Sequence, residues 1–479
     1  MNAMMTLRQA SEWLGQAGIA AMPVGSLALS LNRVHTDTRT LLPGDLFVAL
    51  KGERFDANDF LAEAKARGAS AAIAHGGLDA CGLPGLEVAD SKLALGQLAA
   101  RWRMQFELPL IAVAGSNGKT TVTQMISSIL QNWKQEKAFA TEGNLNNDIG
   151  LPLTLLRLRE SHVAAVVELG MNHPGEIAYL AGLAGPTVAL VNNAQREHLE
   201  FMKTVEAVAH ENGAVIAALG AGGTAVFPAD DDFSALWTKL AGGRRRLTFS
   251  APAERPVRAD VTAQAQWMGE GWLVKATTPA GTVEFELGIA GLHNVKNALA
   301  AATCAIAAGA PLACIGAGLS AFVPVKGRSR ALTLAVGGHQ ISVVDDSYNS
   351  NPDSMRAAID VLAGLPGPRL LVMGDMGEVG SKGPAFHEEA GRYARQCGVQ
   401  KLFTLGQQSA SAATSFGEGR HFDGIDALNA ALLAELPGVA SVLVKGSRFM
   451  KMERVLKALT DASQADQCNA NKEGRHHAA

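Results

Sequence analysis

The sequence predicts an α/β protein of three domains, and three observations predict it. At 479 residues the chain exceeds what one hydrophobic core ordinarily organises. Apolar strand-like runs alternate with helix-like stretches in two separate blocks, the pattern of mainly parallel sheets covered by helices. Residues Ile111 to Thr121 read IAVAGSNGKTT, an apolar run that breaks into a glycine-bearing turn ending in Lys-Thr-Thr. Such a joint points backbone N–H groups and the positive end of a helix at a polyphosphate.

In that loop Gly115 and Gly118 permit the tight turn, and Ser116 and Asn117 lie between them. Lys119 supplies a point charge for the β- and γ-phosphates, Thr120 offers a hydroxyl to Mg²⁺, and Thr121 follows. The spacing is G-x-x-G-K-T-T, shorter than the general P-loop, because Val113 stands where the first glycine would fall.

Composition narrows the class. Hydrophobic residues at 48% with 18% charged are those of a globular protein, and a net charge of −3 offers no footprint for nucleic acid or a membrane surface. Cys81, Cys304, Cys314, Cys397 and Cys468 show no paired or metal-like spacing, which points to a reducing, cytoplasmic setting. No charged-then-apolar targeting region opens the sequence. The uncharged stretch Asn297–Val325 is long enough to span a bilayer, but it is rich in Ala and Gly and broken by Gly309-Ala310-Pro311. It reads as two short buried helices, without membrane insertion.

Element by element, residues 1–90 form a small mixed α/β domain, with a strand at Leu46–Leu50, a helix near Asp59–Arg67 and a strand at Ser70–Ala74. The central P-loop-type domain, 91–325, opens with a helix at Ser91–Phe106. It continues through strand Ile111–Ala114, a helix from Lys119, strand Val163–Leu169, a helix from Pro174 and strand Thr187–Asn192. From about Thr224 to Ile289, alternating stretches such as Gly271–Thr277 and Thr282–Leu287 predict a β-rich insertion. Residues 326–461 carry strands near Ile341–Asp345, Leu370–Met373, Lys401–Leu405 and Ser441–Val444. With helices near Pro352–Ala363, Pro384–Cys397, Ile425–Glu435 and Phe449–Leu459, they make a second doubly wound, Rossmann-like unit. Residues 462–479 read as a polar, flexible tail.

Ligands of such sheets sit beyond the carboxyl ends of the strands. Glu168 ends one strand in ELGMNHPGEI and His198 follows another in REHLEF, so both are expected on the edge that holds the phosphate loop. A carboxylate and an imidazole there suit Mg²⁺ beside a triphosphate, although Glu168 also suits a helix N-cap and magnesium prefers oxygen. Asn294 and Asn297 carry amides that suit a purine edge or a helix cap. The turn Asp345–Pro352 is denser in hydrogen-bonding groups than a connection requires. Lys445, Gly446, Ser447 and Arg448 follow another strand, with Glu453 one turn into a helix whose apolar stripe makes a solvated face an equal reading for it. Near the N-terminus, HTDTR at His35–Arg39 and GDLF at Gly44–Phe47 form a separate polar cluster that also reads as surface turns.

The ordered set GSNGKTT, ELGMNHPGEI, EHLE, GLHNVKNALAA, KGRS, DDSYNSNPDSM, GDMGEVG and KGSRFMKME resembles the Mur ligases over nearly the whole chain. These are ATP-dependent amide-forming enzymes of peptidoglycan precursor synthesis, and the set is most similar to the branch that adds D-alanyl-D-alanine. The resemblance implies that the carboxylate of UDP-N-acetylmuramoyl-tripeptide attacks the γ-phosphate of ATP to give an acyl phosphate. The amine of D-alanyl-D-alanine then displaces phosphate through a tetrahedral intermediate.

It further implies that Lys119, Glu168 and His198 serve catalysis, that Thr120 and Glu168 hold the nucleotide Mg²⁺, and that His198 serves a second one. Asn294 and Asn297 would face adenine. Arg328, Asp346, Tyr348 and Asn351 would reach the nucleotide from the C-terminal domain on closure. Thr38, Arg39, Asp45 and Phe47 would surround the uridine nucleotide, and Lys445, Ser447 and Glu453 the acceptor end. A monomer is expected, with hinges near Ser91 and Lys326.

The sibling that adds a diamino acid as third residue shares the N-terminal domain type, but its D-N-P-R motif is missing here. A P-loop NTPase coupled to a protein partner is the other alternative, and it would have no use for TDTR. One departure stands out. Many relatives place a carbamylated lysine for the second Mg²⁺ where this chain has Asn212, which cannot be carbamylated, and Glu211 is turned about 100° away on a helix. The second metal is therefore expected to be held differently.

Overall fold

The computed structural model describes residues 3–252, 257–269, 271–336 and 338–476, with side chains as far as residue 465. The first sheet has five strands in the order Ala21–Val24, Gly85–Val88, Ala71–Ala74, Asp45–Val48, Arg33–His35, parallel except for the first. The helix Leu7–Gln16, which the sequence reading lacks, is closed at its start by a reciprocal Thr6–Gln9 capping box.

The central sheet has six parallel strands in the order Arg245–Phe249, Thr224–Pro228, Val188–Val191, Leu110–Ala114, Ala164–Glu168, Ala138–Ala140. Leu110–Ala114 lies between Ala164–Glu168 and Val188–Val191, with Glu168 beside Val113 and Val191 beside Ala114. The chain leaves this strand toward one edge and later returns on its other side. The loops after the three neighbouring strands therefore open together at a topological switch point.

The expected insertion from about Thr224 is too long. Thr224–Pro228 and Arg245–Phe249, joined by helix Ser234–Ala241, extend the parallel sheet instead. All five residues of Thr224–Pro228 are buried, as befits a strand covered on both faces, where alternation gives no guide. The insertion is the antiparallel meander Thr262–Trp267, Trp272–Thr278 and Gly281–Leu287. It presents Val274, Ala276, Val283 and Phe285 to an apolar core shared with helices Lys119–Lys134, Leu292–Ala307 and Leu312–Ser320. A Cβ on Gly318 would stand 2.5 Å from the Cα of Ile129, so only glycine allows the last of these helices to lie this close.

The third sheet has the order Arg330–Val336, His339–Asp346, Ser441–Lys445, Arg369–Gly374, Lys401–Leu405, Arg420–Phe422. Only Arg330–Val336 runs antiparallel, and it was not foreseen. The last helix is Glu453–His476, so the chain stays helical well past residue 461, where the sequence places a flexible tail.

The two junctions differ. Helix Ser91–Arg103 buries Ala94, Leu95, Leu98 and Trp102 in one apolar cluster that also contains Leu46 and Ile73 of the first sheet and Leu110 and Ala112 of the second. The region near Ser91 is thus packed core, not a loose hinge. At the other junction, Val323 and Val325 are exposed and the third sheet has its own apolar clusters. The stretch Asn297–Val325 holds the end of helix Leu292–Ala307 and all of Leu312–Ser320, and among the described residues no helix is long and apolar enough to cross a membrane.

Candidate functional site

A cavity of about 1030 Å³ opens beyond the carboxyl ends of the central strands and is roofed by the third sheet. Its floor is the phosphate loop. The strand Leu110–Ala114 ends, Gly115 and Gly118 take positive φ values of 135° and 81°, and the helix begins at Lys119. The first helical N–H groups therefore face the cavity without partners from their own helix. Ser116, Asn117, Thr120 and Thr121 line the same space.

Lys119 is folded back on its own loop. Its Nζ donates to the carbonyls of Gly115 at 2.6 Å and Ser116 at 3.1 Å, and to Glu197 Oε1 at 2.8 Å. Glu168 is buried at the end of its strand, where its N–H donates to Thr141 Oγ1 and its Oε1 accepts from Asn146 Nδ2 at 2.7 Å. It caps no helix. His198 has a left-handed backbone, with φ 48°, and its imidazole lies between two carboxylates. Nε2 is 3.6 Å from Glu197 Oε1 and Nδ1 is 2.6 Å from Glu378 Oε2. Burial favours the neutral ring, but the adjacent carboxylates of Glu197 and Glu378 outweigh it and push the pKa up to about 9. Glu378 is held below the usual carboxylate range by the same contact.

Asn294 and Asn297 lie in the first turns of helix Leu292–Ala307, on the cavity wall. Their amides are committed to a buried ladder. Asn192 Nδ2 donates to the carbonyl of Asn117 and to Asn297 Oδ1, Asn297 Nδ2 to Asn294 Oδ1, and Asn294 Nδ2 to the carbonyl of Ala290. The ladder props the phosphate loop from behind, and within it Asn192 Oδ1 is buried without a hydrogen-bond partner.

The roof residues come from the third domain. Asn351 caps helix Pro352–Ala363 and its Nδ2 donates to Asn117 Oδ1 at 2.9 Å, a direct contact between phosphate loop and roof. Arg328 stacks over the Tyr348 ring at 4.3 Å. Asp346 accepts from Lys445 Nζ at 2.5 Å and from the Ser329 N–H at 3.0 Å. Ser447 Oγ accepts from the Gly377 N–H and donates to the Ser350 carbonyl. Glu453 pairs with Arg448 and does not line the cavity.

The N-terminal cluster stands apart, since none of its four predicted residues borders this cavity. Asp45 is buried, clamped by Arg33 Nε and Nη2 at 2.9 and 2.6 Å and by the Leu42 N–H. The Phe47 ring is sealed in an apolar cluster with Leu61 and Leu78. Only backbone is left at these two positions to meet a ligand. Thr38 bonds Glu63, and Arg39 is exposed and paired with Asp37.

Asn212 is 1% exposed and does not line the cavity; its Oδ1 accepts from the N–H of Gly115 at 3.0 Å. Glu211 accepts from the N–H groups of Gly175 and Ile177, where it caps helix Glu176–Ala184. Neither side chain lines the cavity that Glu168 and His198 share.

Sequence reading missed Glu197 and Arg196, although both stand within REHLEF next to the histidine it selected. Arg196 binds across the domain boundary, with its Nη2 2.6 Å from Asp353 Oδ1 and its Nη1 2.8 Å from Glu389 Oε2. The domains are therefore in contact around the cavity. Hard oxygen donors from Thr120, Glu168 and Glu197 fit a Mg²⁺ ion, and Glu197 Oε2 is buried without a hydrogen-bond partner.

Comparison with known proteins agrees with this geometry. Residues 30–103 match the description "Mur ligase family, catalytic domain", residues 113–305 "Mur ligase middle domain" and residues 330–448 "Mur ligase, glutamate ligase domain". The UDP-N-acetylmuramoyl-tripeptide–D-alanyl-D-alanine ligase of Escherichia coli K12 is 43% identical over 90% of this chain and 94% of its own. A crystal structure of MurF from Acinetobacter baumannii superposes with a TM-score of 0.87 at 34% identity, covering 95% of this chain and 98% of that one. MurF from Thermotoga maritima, solved in complex with ADP, superposes with a TM-score of 0.79 at 25% identity over 91% and 98%. By its matched domains, its sheets and its phosphate loop, this chain belongs to the Mur ligase family.

Proposed function

We propose that this chain is an ATP-dependent ligase that joins D-alanyl-D-alanine to UDP-N-acetylmuramoyl-tripeptide in peptidoglycan precursor synthesis, releasing ADP and phosphate. The observation that carries the reading is near end-to-end similarity to the E. coli enzyme of that activity, together with a single cavity that joins the phosphate loop to the third domain.

The work of the chain is positioning and charge neutralisation. The N–H groups from Gly118 to Thr121, at the start of the helix, cradle the phosphates, while those of Gly115, Ser116 and Asn117 are held by Asn212 and Asn193. Lys119 swings from Glu197 and its loop carbonyls to the β- and γ-phosphates. Bound Mg²⁺, held by Thr120 and Glu168 with His198 at a second position, would offset the charge that develops as the tripeptide carboxylate attacks the γ-phosphorus. Asn294 and Asn297 border the base, and Arg328 and Tyr348 offer a stacked cationic face above it. Lys445 and Ser447, behind the roof turn, orient Asp346 and the Gly377 backbone toward the acceptor amine. Closure excludes water that would otherwise hydrolyse an acyl phosphate. The uridine nucleotide is placed at the first domain, near Thr38 and Arg39 and the backbone of Asp45 and Phe47. The chain works as a cytoplasmic monomer.

The test is phosphate release with ATP and Mg²⁺, with and without UDP-MurNAc-tripeptide and D-alanyl-D-alanine. Release that requires both is expected; strong release that ignores both would sink the reading.

A further inference from the structure

Glu197 stands at the centre of the site, between the two residues on which nucleotide chemistry depends. Glu197 is 8% exposed, and its Oε1 faces both Lys119 Nζ at 2.8 Å and His198 Nε2 at 3.6 Å. Oε2 is buried with no hydrogen-bond partner. Among the described residues, the only other carboxylate oxygen so placed is Asp230 Oδ1, and it is neutralised by Lys296 Nζ at 2.7 Å.

The balance changes when nucleotide arrives. A Lys119 that turns from Glu197 to a phosphate leaves the buried carboxylate without its nearest cation. A buried carboxylate left with only the imidazole beside it is poorly compensated, which favours the arrival of a second positive charge. The geometry suits a small divalent ion. Neighbouring ligands of an octahedral Mg²⁺ lie about 3 Å apart, given bonds of about 2.1 Å, so a 3.6 Å gap between Oε1 and Nε2 closes on an ion with little movement. Among the described residues no three His, Cys, Asp or Glu side chains already form a metal cage. That is the usual state of Mg²⁺ sites, which take one or two protein ligands and fill the rest with phosphate oxygens and water. Asn212 is withdrawn beneath the phosphate loop and contributes nothing to this gap.

We propose that Glu197, paired with His198, is a ligand of the second divalent cation in the nucleotide-bound protein, and that Lys119 and this cation occupy the carboxylate in turn. The proposal rests on the ligase reading only for the identity of the nucleotide.

Mn²⁺ serves as the probe. Wild type and Glu197→Gln are titrated with Mn²⁺, with free ion read by electron paramagnetic resonance, at saturating non-hydrolysable ATP analogue, alone and with UDP-MurNAc-tripeptide. Two bound ions per wild-type chain are expected, with E197Q keeping the first and binding the second at least tenfold more weakly. Glu197→Asp, which keeps the charge on a shorter arm, should fall between them and guards against a misfolded glutamine variant. Two ions of wild-type affinity in E197Q, with tighter nucleotide binding, would make Glu197 only a counter-ion for Lys119 and overturn the proposal. A wild type that binds one ion under both conditions would overturn it as well. Phosphate release independent of the peptide substrates would sink the ligase reading while leaving the Mn²⁺ count intact, so the two failures are distinguishable.

Discussion

The side-chain oxygen of Asn212 accepts a hydrogen bond from the backbone N–H of Gly115, 97 residues earlier in the chain, at 3.0 Å. The contact fixes the first peptide of the phosphate loop from below. Asn212→Ala should leave that buried N–H unsatisfied, a loss of about 1–3 kcal/mol. A lower thermal midpoint and weaker ADP binding are expected, with Asn212→Asp, which keeps an acceptor, retaining more of both. Calorimetry and a fluorescent ADP analogue read these out, and an alanine variant with wild-type nucleotide affinity would contradict the supporting role.

Lys119→Ala should lower turnover by about 10²–10³-fold, the usual effect of removing one preorganised electrostatic partner of a transition state. Binding of the uridine nucleotide, which is expected at the first domain, should persist in the same variant. Loss of both by titration calorimetry would mean that the two sites are not separate.

Gly118 has φ 81°, and a Cβ there would lie 2.6 Å from Asn297 Oδ1 and 2.8 Å from Asn192 Nδ2. Gly118→Ala therefore strains the turn and splits the amide ladder at once. Nucleotide affinity should fall by about tenfold or more, the equivalent of roughly 1–3 kcal/mol of backbone strain. The matching control is Gly143→Ala, which shares a positive φ of 61° and its strain but where a Cβ meets nothing within 4 Å, so nucleotide affinity should be unchanged.

Arg196 ties Asp353 and Glu389 of the third domain to the loop after strand Val188–Val191. In Arg196→Ala two half-buried carboxylates face each other without their shared cation, and charged hydrogen bonds of this kind contribute about 1.5–3 kcal/mol each. Small-angle scattering should show a more extended particle, and phosphate release should slow. An unchanged radius would mean that other contacts hold the closed form.

The same contact gives a pH dependence. Glu389 is held below the usual carboxylate range chiefly by its hydrogen bonds to Arg196, against the opposing effect of partial burial. A carboxyl whose folded pKa is depressed contributes stability that is present above its unfolded value and disappears as pH falls through the folded one. Wild type should therefore exceed Glu389→Gln in thermal midpoint near neutrality, and the two curves should converge as pH drops below about 4.5. Parallel curves down to strong acid would contradict this.

Local residue pattern determined much of this protein. The phosphate loop, its strand and helix, Glu168 at a strand end and the C-terminal strands are local features, because the glycines, the lysine and the apolar runs act over a few residues. Tertiary structure decided the rest. Burial on both faces, not alternation, made Thr224–Pro228 a parallel strand. Packing of Trp102 and Leu98 turned the expected hinge near Ser91 into shared core. Within the first domain, Arg33 took Asp45 and the apolar cluster took the Phe47 ring. Partner choice inside the cavity was decided over long distances in the chain. Asn212 went to Gly115 and Asn297 to Asn192, while Glu197 was set between Lys119 and His198. Hydrogen bonds and ion pairs depend on proximity within about 3–4 Å, and proximity between residues far apart in the chain exists only after the sheets have assembled.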